Sequence, residues 1–241
     1  STDIKNLNHF DPESLDYVYK AVNNIKSSLP EEIPLIGFCG SPWTLAAYSI
    51  EGRSSKDFEK TLGFLESNQK DVHDLLIKYT DACFLYLRKQ VQSGADVIQI
   101  FDSWANLLTK EDLIEFSFNY INSLISALKL DPITKNIPVI IFARNPKCNI
   151  EELINTSADC ISLFWSMNDL NFEVAKNKVA IQGNLDPKIL LESDETIKRE
   201  TYKILERFKE YPGYIFNLGH GITPDISPDK IKYLTNIVRE Y

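Results

Sequence analysis

The stretch PLIGFCGSPW, residues 34–43, contains the parts of one strand–helix unit within ten residues. Its apolar first half is as long as a buried strand, and Gly40 stands where a tight turn would follow. Ser41 before Pro42 is a typical helix start, because a serine side chain accepts hydrogen bonds from free backbone N–H groups and proline is tolerated at the first helical position. The stretch therefore predicts a strand over Pro34–Phe38 and a helix over Trp43–Ile50.

Five further apolar runs of strand length follow along the chain, with amphipathic stretches between them. They are Val97–Phe101, Val139–Phe142, Cys160–Phe164, Val179–Gln182 and Tyr214–Asn217. Short runs that are apolar throughout are typical of strands buried on both faces, as in a parallel sheet. Two more helix starts are indicated, at Thr109 three residues before Asp112 and at Ser227 before Pro228.

This alternation predicts an α/β fold made of repeated βα units. Such units form either an open, doubly wound sheet or a closed (β/α)8 barrel. Six units are two fewer than a closed barrel requires, so the pattern alone leaves both architectures open. With 241 residues, 44% of them hydrophobic, and no interior linker, we expect a single domain over residues 1–241.

Composition argues against several partners and locations. The net charge of −8 disfavours nucleic acid and anionic membranes as main partners. No apolar run reaches the length of about 18 residues needed to span a bilayer, and the polar start Ser1–Asp11 has no signal-peptide core. The four cysteines have no CxxC spacing, so we expect reduced thiols in an intracellular protein.

Candidate functional side chains follow the predicted strands, where parallel α/β folds place their sites. His220, between two glycines, is the strongest candidate, because such a position gives an imidazole access to a ligand. Asp102 and Ser103 follow the second strand and Arg144 the third. Asp102 has the alternative role of capping backbone N–H groups, and Arg144 that of pairing with a neighbouring acid. His9 and His73 are expected at the surface.

Motifs for other chemistries are missing from the sequence. There is no GxGxxG, GxxxxGK[ST], GxSxG or HExxH pattern, and no histidine stands two residues from a cysteine. Nucleotide binding, serine hydrolysis and zinc chemistry therefore lose support. The residues themselves lead to a cofactor-free enzyme with Tyr, Ser, Asp, Arg and His groups, acting on a carboxylated ligand.

Several segments, in order along the chain, closely resemble uroporphyrinogen decarboxylases. They are residues 11–18, 34–45, 48–56, 94–105, 182–187 and 216–222. The resemblance implies a (β/α)8 barrel of TIM type that acts as a homodimer. Members of the family begin with about two further βα units, so the resemblance implies that this chain lacks them. It also implies that an arginine-rich carboxylate-binding motif and the family's catalytic aspartate lie upstream of Ser1.

Carried over residue by residue, the resemblance assigns substrate binding to Tyr48, Ser103 and His220, with Phe38 and Phe101 as apolar walls. Arg144 stands where a lysine is usual and keeps its charge. The catalytic residue stays unknown, and Asp102 is the only candidate within the chain. The sequence departs from the family in Phe164, where aspartate is usual before Trp165, and in Asn106, where glycine is usual.

The function implied is decarboxylation of the four acetate side chains of uroporphyrinogen to give coproporphyrinogen, in haem and tetrapyrrole biosynthesis. This carboxy-lyase reaction needs no cofactor or metal, because the protonated pyrrole accepts the electrons. Expected partners are uroporphyrinogen and a second copy of the chain. The expected compartment is the cytoplasm, with the plastid as the alternative.

Two other functions remain open. One is a barrel that binds a porphyrinogen without turnover. Two points motivate it: the resemblance implies that some site groups lie upstream of Ser1, and Phe164 stands where aspartate is usual. The other is a zinc-dependent methyltransferase of the same superfamily, which would need a His-x-Cys pair and a distant cysteine. The sequence contains no such pair.

Overall fold

A computed structural model describes residues 2–55, 57–168 and 170–241, with only the backbone of Thr2 and Asp3. Lys56, which belongs to one of the segments that carry the resemblance, lies outside the described residues. The chain divides into two compact units, Ser1–Asp159 and Cys160–Tyr241. The single domain expected over residues 1–241 stays a prediction.

The first unit contains a three-stranded parallel sheet with helices between its strands. Its elements are α1 (Thr2–Asn6), α2 (Asp16–Ser28), β1 (Ile36–Gly40), α3 (Pro42–Glu51), α4 (Glu59–Ser67), α5 (Gln69–Gln92), β2 (Val97–Asp102), α6 (Lys110–Asp112), α7 (Asn119–Leu130), β3 (Val139–Ala143) and α8 (Ile150–Ile154). Strand β1 pairs with β2 and β2 with β3, with Ile36 opposite Val97 and Ile98 opposite Val139. The parallel βα pattern predicted for this part of the chain is confirmed.

The helix start at Ser41 is confirmed in detail. Its hydroxyl accepts from the backbone N–H of Thr44 at 3.0 Å, and Pro42 occupies the first turn. Strand β1 ends two residues later than predicted, because the ladder with β2 continues to Gly40 opposite Phe101. The helix ends at Gly52, whose φ of 80° is a left-handed conformation that glycine adopts without strain.

Gln90 of α5 holds β1 at Phe38. Its side-chain amide accepts from the Phe38 backbone N–H and donates to the Phe38 carbonyl oxygen, both at 3.0 Å. This contact explains Gly37, because a Cβ there would lie 2.8 Å from Gln90 Oε1 and 2.9 Å from Ala95 Cβ. Gly37 therefore permits close packing of the protein on itself.

A buried apolar layer joins the sheet of the first unit to its helices. Its fully buried members include Trp43, Leu76, Leu87, Ile98, Ile100 and Leu124. Full burial of side chains of this size stabilises a fold by about 1.5–3 kcal/mol each. The helix start at Thr109 is also confirmed, since its hydroxyl accepts from the Asp112 N–H at 3.1 Å. Between α6 and α7 the chain forms a π-helical segment, Leu113–Phe118.

The second unit is also parallel. Its elements are β4 (Cys160–Ser162), β5 (Ala180–Gln182), α9 (Asp194–Phe208), β6 (Tyr214–Ile215) and α10 (Pro228–Glu240). Strand β4 pairs with β5 and β5 with β6, with Ile181 opposite Tyr214. Its core packs Leu185, Leu190, Ile197, Ile226, Leu234 and Ile237 together.

The strands of the second unit are shorter than predicted. Phe164 lies two residues past the end of β4, and Asn217 two residues past the end of β6. Apolar sequence continues past the strands because Phe164 and Phe216 pack in loops: Phe164 is only 8% exposed and its carbonyl oxygen accepts from Asn184 Nδ2 at 3.2 Å, and Phe216 packs on the core of the unit. Asn217 itself is exposed. The length of the apolar runs therefore overestimated the length of the hydrogen-bonded strands. Within the described residues, no helix combines the length and apolar character that a membrane crossing requires.

Candidate active site

The first unit brings three predicted strand ends to one edge of its sheet, because its strands are parallel. Phenylalanine rings from the three strands form a row: Phe38 and Phe101 meet edge to face at 5.8 Å, and Phe101 and Phe142 lie 5.9 Å apart. Exposure rises along the row, from 8% at Phe142 to 59% at Phe38. The structure therefore brings Phe38 and Phe101 together, and their role as walls of a substrate cleft stays a prediction.

An aromatic cluster follows β2, and Trp104 is at its centre. The Tyr48 ring meets the Trp104 ring edge to face at 5.8 Å, and Phe58 packs 4.3 Å from Trp104. The guanidinium carbon of Arg144 lies over the Trp104 ring, 5.5 Å from its centroid. Tyr48 is 39% exposed, whereas Phe58 is fully buried. Two of the predicted substrate-binding residues, Tyr48 and Arg144, therefore contact the same ring.

Among the described residues, Arg144 has no partner for the ion pair that the sequence left open. Within residues 2–55, 57–168 and 170–241, none of the carboxylates pairs with its guanidinium. Its backbone N–H donates to the Asp102 carbonyl oxygen at 3.0 Å, which attaches the loop after β3 to the end of β2. A half-buried arginine whose guanidinium pairs with none of the described carboxylates is suited to bind an anionic group.

Ser103 is positioned by α3. Its backbone N–H donates to Thr44 Oγ1 at 2.9 Å, and its own side chain is half-buried beside Trp104 in sequence. A hydroxyl in this position can donate to a carboxylate. This role for Ser103 stays a prediction.

Asp102 does not have the environment of a catalytic carboxylate. Its side chain is fully buried and accepts from three hydroxyls: Ser41 at 2.9 Å and Thr44 at 3.1 Å on Oδ1, and Ser117 at 2.5 Å on Oδ2. Burial raises the pKa of Asp102 above its usual range, although the three hydroxyl donors oppose this shift. A group without solvent access cannot reach a ligand, so this geometry argues against the candidate role.

The alternative role of Asp102 also needs correction. It does not cap backbone N–H groups directly; it binds Thr44, whose hydroxyl in turn accepts from the Ser103 N–H. Ser117 comes from the π-helical segment, whose wider turn places this hydroxyl at the strand end. Asp102 therefore joins β2, α3 and the π-helical segment, and sets the backbone from which Ser103 and Trp104 project.

In the second unit, His220 is exposed after β6. Its Nδ1 lies 3.3 Å from the Gly221 carbonyl oxygen, and its ring meets Phe164 edge to face at 6.0 Å. Phe164 also contacts Trp165 at 5.4 Å. The phenylalanine that stands where the resemblance implies an aspartate thus packs on the predicted ligand-binding histidine.

Gly219 brings the His220 loop against Trp165. A Cβ at Gly219 would lie 2.4 Å from the Trp165 backbone nitrogen and 2.5 Å from its Cα, whereas at Gly221 it would meet nothing within 4 Å. Of the two glycines that flank His220, Gly219 is therefore the one that close approach requires. His220 itself occupies the exposed, glycine-flanked position that the sequence indicated, and its role in binding stays a prediction.

His9 is exposed as predicted, and His73 lies at the surface but is partly covered by other side chains. In α5, His73 is partly buried and stacks on Phe116 at 4.7 Å. Its two ring nitrogens lie 2.6 Å from Tyr120 Oη and 3.2 Å from Glu115 Oε1. The spacing of apolar residues did not reveal these contacts, because both partners come from a segment more than forty residues later.

The cysteines are free thiols: Cys39, Cys83 and Cys160 are buried and Cys148 is partly buried. Among the side chains that the structure describes, no three or more histidines, cysteines, aspartates and glutamates are grouped so that they could hold a metal ion. The zinc-thiolate site that a methyltransferase of the superfamily would need thus has no ligand set in this part of the chain.

Sequence comparison places the chain among known proteins. A family model described as "Uroporphyrinogen decarboxylase (URO-D)" matches residues 1–241. The uroporphyrinogen decarboxylase of Ruthia magnifica subsp. Calyptogena magnifica is 42% identical over 229 residues, which are 94% of this chain and 66% of that protein. That of Magnetococcus marinus is 42% identical over 242 residues, covering 99% of this chain and 68% of the relative. The chain thus spans about two thirds of the length of these relatives.

Structural comparison decides between the open sheet and the barrel. A methyltransferase from Methanosarcina mazei superimposes with a TM-score of 0.72 at 20% identity, covering 92% of this chain and 63% of that chain. A B12-independent methionine synthase from Shewanella sp. W3-18-1 gives a TM-score of 0.62 at 14% identity, covering 92% and 66%. At such identities the likeness shows the fold alone. These are TIM-barrel enzymes, so the predicted (β/α)8 class is confirmed.

The family model covers the same residues that carried the resemblance, from 11–18 to 216–222. Because this model matches all of residues 1–241 and curated relatives share 42% identity over nearly the whole chain, the protein belongs to the uroporphyrinogen decarboxylase family.

Proposed function

We propose that this chain contributes part of the substrate site of a uroporphyrinogen decarboxylase, a carboxy-lyase that converts uroporphyrinogen to coproporphyrinogen. The observation that carries the proposal is the match of the family model to residues 1–241, with curated decarboxylases 42% identical. The chain spans about two thirds of the length of these relatives, so the activity of the whole protein is part of the proposal.

The proposed reaction proceeds on the pyrrole ring. A proton adds to the ring α-carbon next to the carbon that bears an acetate substituent and gives a cationic intermediate. The bond between the acetate CH2 carbon and its carboxylate then breaks, CO2 leaves, and the electron pair forms an exocyclic double bond between the ring and the CH2 carbon. Protonation of this CH2 carbon and loss of the first proton from the α-carbon restore the aromatic ring and leave a methyl group in place of the acetate. The protein has to orient the substrate, supply protons and stabilise the cation in a site with little water.

Side chains suited to this task are present in both units, each taken by itself. Arg144 is charged and forms no ion pair with the described carboxylates, and Ser103 and Tyr48 carry hydroxyls, so these three can bind substrate carboxylates. Phe38 and Phe101 supply apolar surface for the pyrrole rings, and His220 of the second unit can donate or accept a hydrogen bond. Asp102 is too deeply buried to stabilise the pyrrole cation, so we assign the catalytic anion to none of these residues.

The oligomeric state, compartment and partners are proposed from the family. We propose a homodimer in the cytoplasm that uses neither nucleic acid nor a membrane as partner. Both relatives compared above are bacterial proteins, and no observation supports the plastid alternative.

The test is turnover by the purified protein under anaerobic conditions. It is incubated with uroporphyrinogen, the products are oxidised, and porphyrins with eight to four carboxyl groups are separated by chromatography. We expect coproporphyrin to accumulate. Binding of uroporphyrinogen without loss of CO2 would support the porphyrinogen-binding alternative. Methyl transfer to a thiol that depends on added zinc would support the methyltransferase, whose structural support is a likeness of fold at 20% identity or less.

A further inference from the structure

Trp104 lies between two side chains that the proposed function assigns to substrate binding. Tyr48 comes from α3 and Arg144 from the loop after β3, so the two are far apart in sequence. The Tyr48 ring approaches Trp104 at 5.8 Å with an interplanar angle of 80°, and the Arg144 guanidinium carbon lies 5.5 Å from the centroid of the same ring. One indole therefore contacts both groups.

The position of Trp104 is itself determined by buried neighbours. Phe58, which has no exposed surface, packs 4.3 Å from the indole. Trp43, also fully buried, donates from Nε1 to the Trp104 carbonyl oxygen at 3.1 Å. The residue before it, Ser103, is held through its N–H by Thr44. Side chains in close-packed surroundings have little freedom to move, so the indole is a fixed surface.

A fixed aromatic surface affects how Arg144 binds an anion. A free arginine side chain samples many rotamers, and this freedom is lost when it binds a ligand. A guanidinium attracted to an aromatic ring has lost part of that freedom beforehand. Its N–H donors lie in the guanidinium plane, so a ring contact leaves edge donors for a carboxylate.

We infer that Trp104 is a positioning residue of the carboxylate-binding site: its indole holds the Arg144 guanidinium and the Tyr48 hydroxyl at a set separation, so that both bind carboxylates of one porphyrinogen. This inference rests on the proposed function. It predicts that Trp104 acts on substrate binding through Arg144, and that it has little effect on the decarboxylation step itself.

The main variants are Trp104→Leu, which removes the aromatic ring, and Trp104→Phe, which keeps one. We expect Trp104→Leu to raise KM for uroporphyrinogen about fivefold to tenfold with kcat within about twofold of wild type, and Trp104→Phe to recover most of the loss. A purely structural role would reduce the amount of folded enzyme, and hence kcat, and leave KM unchanged.

The link to Arg144 is tested by a double-mutant cycle. If the indole acts through the guanidinium, Trp104→Leu should raise KM by less than about twofold in an Arg144→Met background. Arg144→Lys offers a test with Trp104 intact, should Trp104→Leu fail to fold: lysine keeps the charge but has no planar face, and we expect KM to rise about fivefold.

The matched control is Tyr202→Leu in α9. There Lys198 lies over the Tyr202 ring at 5.5 Å, the same distance as Arg144 from Trp104, on a helix with none of the proposed site residues. This variant should leave KM unchanged. If the wild-type protein neither binds nor decarboxylates uroporphyrinogen, the proposed function is wrong and the inference with it. If the wild type is active while Trp104→Leu and Arg144→Lys keep its KM, only the inference is overturned.

Discussion

Ser41, which caps the start of α3, donates its hydroxyl to Asp102 Oδ1 at the end of β2 at 2.9 Å. Both side chains are fully buried. The same serine oxygen accepts from the Thr44 N–H at the helix start. A helix cap and a strand end are therefore joined by one buried hydroxyl. Because the carboxylate is buried, its charge state should affect the stability of the fold.

Asp102→Asn should leave the free energy of unfolding unchanged or raise it at neutral pH. An amide oxygen can accept from Ser41 and Thr44, and the amide NH2 can donate to Ser117, so the hydrogen bonds persist without a buried charge. Asp102→Ala, in contrast, leaves three buried hydroxyls without their acceptor and should lower stability by about 1–3 kcal/mol. Urea unfolding of the three proteins at pH 7 measures the difference.

The raised pKa of Asp102 also predicts how stability depends on pH. Because the pKa of Asp102 is raised above its usual value of 3.8, the folded state holds the carboxyl proton more tightly than the unfolded state does. The contribution of Asp102 to stability is therefore fully present below the pKa of the unfolded state. It is lost as pH rises through the pKa of the folded state. The stability of wild type relative to Asp102→Asn should fall as pH rises from about 4 and then level off. A difference that is constant with pH would contradict this assignment.

Gly219→Ala should destabilise the protein, because a Cβ at this position would lie 2.4 Å from the Trp165 backbone nitrogen. Backbone atoms cannot move aside as a flexible side chain can, so we expect a loss of about 1–3 kcal/mol. Gly221→Ala is the matched control, since nothing lies within 4 Å of its added Cβ. Thermal unfolding of both variants should show a lower Tm for Gly219→Ala alone; equal Tm values would mean that the close approach is absent.

His220→Ala should lower decarboxylation by about tenfold or more while leaving stability within about 0.5 kcal/mol. The side chain is exposed, and its removal takes away one edge-to-face contact with Phe164. The check is a steady-state assay combined with thermal unfolding. Activity equal to that of wild type would remove His220 from the proposed site.

Tyr48→Phe should have a milder effect than His220→Ala. It deletes the hydroxyl but keeps the ring contacts with Trp104 and Phe58, at 5.8 and 5.9 Å. We expect stability within about 0.5 kcal/mol of wild type and a build-up of partly decarboxylated intermediates, which chromatography of the oxidised products would reveal. A loss of activity as large as that of His220→Ala would show that the hydroxyl has a larger role than orientation.

Local sequence was sufficient for most of the secondary structure. Strand β1 and helix α3 follow from residues 34–43, because a serine cap acts within four residues of the chain and an apolar run needs no distant partner to be recognised. Strand ends were less accurate: Phe164 and Phe216 lie beyond β4 and β6, because an apolar residue in a loop can pack against the protein as a strand residue does.

The sequence by itself determined the α/β class, the helix starts at Ser41, Thr109 and Ser227, and the family. Each of these depends on residues close together in the chain. Only the tertiary structure decided that Asp102 is buried among hydroxyls from two other elements, and that Arg144 lies over Trp104. The reason is physical: burial, and the contacts that set the pKa or position of a side chain, depend on residues brought together only by folding.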